Sequence, residues 1–394
     1  MQPGAYAHST ATIPSHPYPD VAGIQLRADS FPTWLLAQVD RESWPRKLHL
    51  LDAGCGTGVS LAAVAALHPE AHVAGVDLSE PSIARARERL AGRPDVELIA
   101  GDLHDPAVTA RLRATAPSGF DVIWLSGILH HVPDPAALLA RLVPLLAVDG
   151  VVSVMVYGAY GRLPATRLSR ALALAEPDPA ARGALARTWL RALEPGPILR
   201  APFDDGRTVG DVELADRYLH PLARPMRVEE LFATLDAGGL RWLRWLEPRA
   251  WSPRARLGPE AAASLGDLDE RAQALVLQEL FDHPSLECLA THPERAGRPA
   301  ADGELAGQVV DRNPQVALQR IERSVGPVLL DEGVQVRLRA GAWEPLDARE
   351  RALFLVCNGP ILGSELIAAA GLTASEGDAG LRSLLERELF FRPV

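Results

Sequence analysis

The chain is organised around Leu48 to Gly58, which reads LHLLDAGCGTG. Its apolar run (Leu48, Leu50, Leu51) stops at Asp52, glycines stand at 54, 56 and 58, and an alanine-rich apolar segment follows from Val59 to Leu67. That order predicts a buried strand, a tight turn and a helix N-terminus, the arrangement with which α/β proteins hold nucleotide-like ligands. Glycine is needed in such a turn because it lacks Cβ, tolerates positive φ and lets a ligand approach the backbone. The spacing is G-x-G-x-G, one residue short of the G-x-G-x-x-G fingerprint of dinucleotide sites, which disfavours a nicotinamide oxidoreductase.

The following hundred residues alternate strand and helix, as a doubly wound parallel sheet requires. Ala71 to Val76 is a short apolar strand ending at Asp77, and Ser82 to Leu90 an Arg/Glu-rich amphipathic helix. Val96 to Ala100 runs into Gly101-Asp102-Leu103, and Phe120 to Gly127 into Ile128-Leu129-His130-His131-Val132-Pro133-Asp134. A helix from Pro135 to Leu146, with Asp134 as its N-cap, leads to a fifth strand, Val151 to Tyr157. Acids therefore stand at the carboxyl ends of the first three strands, where open α/β sheets bind ligands.

From Leu48 to Tyr157 this ladder resembles the cofactor half of class I S-adenosylmethionine-dependent methyltransferases. The resemblance implies S-adenosyl-L-methionine as cofactor. It places Asp52, Gly54, Cys55, Gly56 and Gly58 at its methionine part, Asp77 on both ribose hydroxyls, Leu78 on the adenine face and Asp102 on the adenine amino group with Leu103 beside it. Ser126 to His131 matches the region where the sulfonium meets the acceptor. A carboxylate suits the ribose because it is acceptor-only and takes two O–H bonds. His130 and His131 carry two readings, a loop-shaping pair packed on the cofactor or a general base. Ser126 stands where a metal-using relative would offer an acid, so no metal is expected.

Beyond Gly158 the alternation stops. Helical stretches (Thr166 to Ala175, Ala180 to Leu193) separated by proline-rich turns read as a helical insertion, 158–226, suited to a substrate lid. Tyr218 and His220, in a loop-like Asp216-Arg217-Tyr218-Leu219-His220-Pro221 segment, are acceptor-site candidates or core-edge residues. Val228 to Ala237 reads as a helix stopped by Gly238-Gly239, and Leu240 to Leu246 as a strand completing the sheet; Trp242, Trp245 and Trp251 read as packing. The Tyr-Leu-His-Pro segment before the R-P-x-x-V-E-E-L-F helix is similar to that of bacterial methyltransferases with an added C-terminal region, some of them protein lysine methyltransferases.

The expected fold is an α/β doubly wound Rossmann-like sheet with that insertion and a C-terminal, mainly helical, winged-helix-like module. The expected division is a tail or cap over 1–30, a methyltransferase domain over 31–254, a helical accessory region over 255–325 and the module over 326–394. Phe31 to Arg41 reads as a helix beside the first strand, and Val316 to Val325 as part of the helical region. Gln335 to Arg339 reads as a short strand, and Arg349 to Cys357, Gly363 to Ala370 and Gly380 to Leu389 as helices before a Phe390-Phe391 edge.

Charge narrows the partners. The net charge is −10, and Asp347 to Val394 carries seven acids against five arginines, too acidic for phosphate-driven nucleic-acid binding. A peptide-docking or homodimerising role fits that module better. Three scattered cysteines (Cys55, Cys288, Cys357) make neither a disulfide framework nor a zinc site. With no apolar run long enough to span a membrane and no signal-peptide pattern, a cytoplasmic protein without membrane partners is expected. The expected activity is metal-independent methyl transfer to an O or N nucleophile of a protein, peptide or small-molecule acceptor. The alternative is a non-catalytic S-adenosylmethionine-binding regulator or scaffold.

Overall fold

The computed structural model describes residues 32–36, 47–179, 181–193, 214, 218–220, 222–295, 305, 308–313, 316–325, 328–338, 344–359, 361–387 and 389–391. The expectation for the tail, 1–30, lies outside the described residues. The described residues divide into two compact units, one made of those between 47 and 294 and the other of 32–36 with those from 295 onward. The short helix α1 (Pro32–Leu36) is therefore grouped with the second unit, where the sequence had suggested a place beside the first strand.

In the first unit, β1 (His49–Ala53), α2 (Val59–Leu67), β2 (His72–Asp77), α3 (Glu80–Arg89), β3 (Glu97–Ala100), α4 (Pro106–Thr115), β4 (Phe120–Ser126), α5 (Pro135–Leu142) and β5 (Leu146–Tyr157) follow in order. The insertion supplies α6 (Leu163–Ala175) and α7 (Arg182–Ala192), and α8 (Val228–Ala237) leads into β6 (Arg241–Trp245). Next come α9 (Pro253–Ala263), broken at Gly258, α10 (Glu270–Leu280) and β7 (Ser285–Thr291). The seven strands pair in the order β3-β2-β1-β4-β5-β7-β6. β1 to β5 pair in parallel, and β7 is antiparallel to both β5 and β6.

Two local signals explain helices here. Asp134 accepts from the Ala137 N–H at 2.9 Å, as expected for the N-cap of α5, and Asp105 caps α4 by accepting from the Ala107 N–H at 2.8 Å. The strands bury both faces: Leu51, Ile123 and Val152 on one side and Leu50, Val122 and Val151 on the other are at most 2% exposed, which a central parallel strand requires. Helices α5 and α8 add Leu138, Leu142, Leu231 and Leu235 to the same core. Trp242, Trp245 and Trp251 pack there too, with the Trp245 and Trp251 rings stacked at 4.1 Å.

The region 255–325 is not mainly helical. After α9 and α10 it contributes β7 to the sheet, then β8 (Val309–Arg312) and β9 (Val316–Val325). Leu318, Ile321 and Val325 have helical spacing, yet the segment is held extended by a long antiparallel ladder with β10 (Val328–Leu338). Pairing along a whole strand outweighs a weak local preference.

The second unit continues with β11 (Glu344–Pro345), α11 (Ala348–Val356), β12 (Ile361–Leu362), α12 (Gly363–Ala369), α13 (Ala374–Glu386) and β13 (Phe390–Phe391). Its small sheet runs β12-β8-β13, so the expected Phe390-Phe391 edge is a strand paired with β8. The core comprises Val336, Leu353, Phe354, Leu366, Leu381, Leu384 and Phe390. The arginines of α13 and its end face acids: Arg382 meets Asp378 at 3.1 Å, and Arg387 meets Glu350 at 2.6 Å and Glu344 at 3.3 Å. Glu350 is 3% exposed, and the Ser383 hydroxyl also donates to it. Arg387→Ala is expected to lower unfolding stability by about 2 kcal/mol in a denaturant titration, because a buried carboxylate loses its counter-charge while the guanidinium's own exposure softens the loss.

Candidate functional site

The glycine turn is tied directly to the tip of β2. The N–H groups of Gly54 and Cys55 both donate to the Val76 carbonyl, at 2.7 and 3.0 Å, and the Gly56 N–H donates to Asp77 Oδ2 at 2.9 Å. All three loop glycines have positive φ (98°, 53° and 74° for Gly54, Gly56 and Gly58), which side-chain-bearing residues rarely adopt. Gly58 is the N-cap of α2, and no side chain caps that helix.

Asp77 is 8% exposed, and its other oxygen, Oδ1, accepts from the Ser79 N–H at 2.8 Å. Burial raises its carboxyl pKa, opposed by those two N–H donors. An ionised carboxylate offers about four lone-pair directions, so the two backbone bonds leave room for a diol. Through these two bonds the carboxylate is built into the loop itself. Leu78, next along, is 41% exposed and presents an apolar face at this rim.

β3 joins the same edge. The Gly101 N–H donates to the Asp77 carbonyl at 2.9 Å, bringing Asp102 alongside. Asp102 Oδ1 accepts from the His104 N–H at 2.8 Å and lies 2.9 Å from His104 Nδ1, a partner the sequence reading had not noticed. Leu103 is 9% exposed and belongs to the main core, so it supports this edge from below. Asp52 and Cys55 are 9% and 8% exposed, and burial, with Asp52 and Asp77 nearby, pushes the Cys55 thiol pKa well up. That thiol is protonated at neutral pH and serves as a small apolar wall.

Next to the loop, Ser126 ends β4 as a partner of Met155, and the chain turns through Gly127 (φ 81°) into a one-turn helix at Leu129–His131. The turn is locked to the tip of β5: the Tyr157 N–H donates to His130 Nδ1 at 3.3 Å, while the His130 carbonyl accepts from the Arg224 N–H at 2.9 Å. Rings then form a continuous cluster. His130 lies 4.0 Å from Tyr157 and 4.2 Å from His131, and His131 lies 3.9 Å from His220. The Arg162 guanidinium sits 3.9 Å from the Tyr157 ring centre. Tyr157 and Arg162 were missed in the sequence because nothing local marks them. They join the site only when the β5 tip and the first turn of the insertion meet the histidines.

Tyr218 is placed elsewhere. It is 2% exposed and packs with Ala165, Leu168, Leu172, Ala186, Leu190 and Leu214 in the insertion's own core, while the neighbouring His220 reaches the ring cluster. Of the two acceptor-site candidates, only His220 stands beside His131.

Burial, with the charges of Arg162 and His220 adding to it, lowers the His130 pKa to about 3. Burial alone lowers His220 to about 4, and burial with its ring neighbours also drives His131 down. These imidazoles are neutral in the folded chain at pH 7. Because the folded values lie below the unfolded one, protons are taken up on unfolding below about pH 6.5, so the stability these groups contribute is present above that pH and lost toward pH 4 and 3. Thermal denaturation between pH 7 and 4 is expected to show a falling midpoint. The fall should be shallower in His130→Gln, by up to about one proton, or ~1.4 kcal/mol per pH unit.

Among the described residues, no group of three or more His, Cys, Asp or Glu is arranged to hold a metal ion, and no helix is long and apolar enough to cross a membrane.

Comparison with known proteins agrees with this geometry. A family profile for a methyltransferase domain matches residues 51–152. Trans-aconitate 2-methyltransferase of Methylobacterium radiotolerans is 38% identical over 221 residues, which are 52% of this chain and 79% of that protein. The chain belongs to the class I S-adenosylmethionine-dependent methyltransferase family. An uncharacterized protein of Synechococcus sp. is 31% identical over 235 residues, 57% of this chain, and the match takes in only 54%, about half, of that relative's length. Among solved structures, PKMT2 from Rickettsia typhi shares the fold with a TM-score of 0.70 at 17% identity, over 95% of this chain and 77% of that one. The Rossmann-like methyltransferase sheet is thus shared well beyond the residues whose sequences align. S-adenosyl-L-methionine is the cofactor of this family.

Proposed function

We propose that the protein transfers a methyl group from S-adenosyl-L-methionine to an O or N nucleophile of a protein, peptide or small-molecule acceptor, without a metal. The observation that carries this reading is the bonded rim Gly54–Gly56, Asp77 and Gly101–Asp102, beside which the His130–His131–His220 cluster stands. Asp77 would hold the ribose hydroxyls and Leu78 would cover the adenine. Asp102 would accept from the adenine amino group, and Asp52 with the glycine turn would face the methionine part. The cofactor supplies an activated methyl on a sulfonium; the protein's part is alignment and exclusion of water, and alignment alone can be worth about 7–11 kcal/mol. An oxygen acceptor is supported by the names of similar proteins, the Methylobacterium trans-aconitate 2-methyltransferase and a ubiquinone biosynthesis O-methyltransferase of Neisseria meningitidis.

For residues 326–394 we propose a peptide-docking or homodimerising role rather than nucleic-acid binding, because Arg382 and Arg387 are matched by acids; a cytoplasmic location is part of the same proposal. Calorimetry with S-adenosylmethionine and radiolabelled methyl transfer to cell extract test the whole reading. Binding with labelled product is expected. Binding with no product in any fraction would make the chain a non-catalytic regulator, and no binding would remove the reading altogether.

A further inference from the structure

The turn after β3 holds Asp102 through main chain and side chain alike. Its carbonyl accepts from the Asp105 N–H at 2.9 Å, while Oδ1 accepts from the His104 N–H at 2.8 Å and lies 2.9 Å from His104 Nδ1. An ionised carboxylate only accepts, so Nδ1 carries a proton and donates it to Oδ1, in the neutral ring and in the cation alike. Both side chains remain within reach of a ligand, His104 at 27% and Asp102 at 32% exposure. The Gly101 N–H bond to the Asp77 carbonyl sets this turn beside the ribose carboxylate, one strand over.

A half-exposed aspartate in a turn has several staggered side-chain orientations open to it, and a ligand that needs one of them bears the cost of selecting it. His104 removes that choice, because two donors of one residue meet one carboxylate oxygen. Each oxygen has about two lone-pair directions, so these bonds engage Oδ1 and the ligand's share falls to Oδ2. Resting on the reading above that Asp102 accepts from the adenine amino group, we propose that His104 positions the carboxylate for that bond and thereby sets the site's preference for a 6-aminopurine. A 6-amino group donates to a carboxylate, whereas a purine bare at C6 offers it no N–H there. His104 is thus a positioning residue that acts through Asp102. No feature of the glycine turn does this work, since that turn serves the other end of the cofactor.

Calorimetry on the full chain tests the assignment with a pair of ligands, S-adenosylhomocysteine and its analogue whose purine lacks the 6-amino group. The native chain is expected to prefer the first by about 10- to 100-fold, the range for one hydrogen bond to a charged acceptor. His104→Ala is expected to lower that preference about three- to tenfold, by weakening the adenosyl ligand while the analogue's Kd stays within about twofold. His104→Asn, whose amide nitrogen reaches as far as Nδ1, should recover most of the preference.

Equal weakening of both ligands in His104→Ala would mark a merely structural role and overturn the proposal, as would an unchanged preference. The double-mutant cycle gives a second reading. Asp102→Ala should abolish the preference, and adding His104→Ala should then change it no further; an additional change would show that His104 acts without Asp102 and would also overturn the proposal. A native chain that binds both ligands equally takes Asp102 off the amino group and the proposal with it, leaving the cofactor reading intact. Binding of neither ligand overturns the cofactor reading itself.

Discussion

Asp77→Ala is expected to lower affinity for S-adenosylmethionine by about 100-fold or more and to destabilise the first unit as well. The binding loss is that of two hydrogen bonds from the ribose to an ionised acceptor, each worth about 1.5–3 kcal/mol. The stability loss has a separate source. Removing the carboxylate strands the N–H groups of Gly56 and Ser79, which it accepts at 2.9 and 2.8 Å in a setting only 8% exposed. Each stranded donor costs about 1–3 kcal/mol if water does not reach it. Asp77→Asn separates the two effects, since its amide oxygen keeps one backbone bond while the charge is lost. Calorimetry and denaturant titration on both variants check this; an unchanged Kd in Asp77→Ala would take the residue out of the site.

The second large effect is at Gly54. A Cβ there would lie 2.2 Å from Ile128 Cδ1 and 2.5 Å from Cγ1, and the residue sits at φ 98°. Alanine must therefore bear a strained backbone, roughly 1–2 kcal/mol, and displace Ile128 as well. Ile128 is the residue immediately before the Leu129–His131 turn, so the displacement reaches the histidines. Gly54→Ala is expected to lower Tm by several degrees, about 2–4 °C for each kcal/mol in a unit of this size, and to weaken cofactor binding at least tenfold. Ile128→Ala in the same chain should recover part of the binding and none of the backbone strain. Full recovery, or no loss in the single variant, would show that the close packing of this turn does not matter.

Much of this site was written in local sequence. The apolar run into Asp52, the three glycines and the acids at 77 and 102 are consecutive features whose meaning depends on neighbours a few residues away, and the parallel ladder then fixes where they meet. The N-cap of α5 was legible for the same reason. What could not be read depended on distant pairing or on three-dimensional packing. Ser285–Thr291 follows two helices and is a strand because β5 and β6 flank it. α4 went unnoticed because its composition is mixed, although Asp105-Pro106 was an available start signal. Of the two readings open for Tyr218, acceptor site or core edge, the sequence could not choose, because the apolar core of the insertion that takes it in forms only from separate helices. Tyr157 and Arg162 became part of the site only through the rings they touch.

The place of β7 has a consequence for how the chain is made. β6 precedes it in sequence and pairs with no other strand, so β6 has no strand to pair with until Thr291 has been synthesised. During translation the parallel half of the sheet ends in the open flank of β5, an adhesive edge exposed while more than a hundred further residues emerge. A gene cut anywhere between Trp245 and Ser285 should therefore yield aggregates, and the shortest fragment able to fold must run past Thr291.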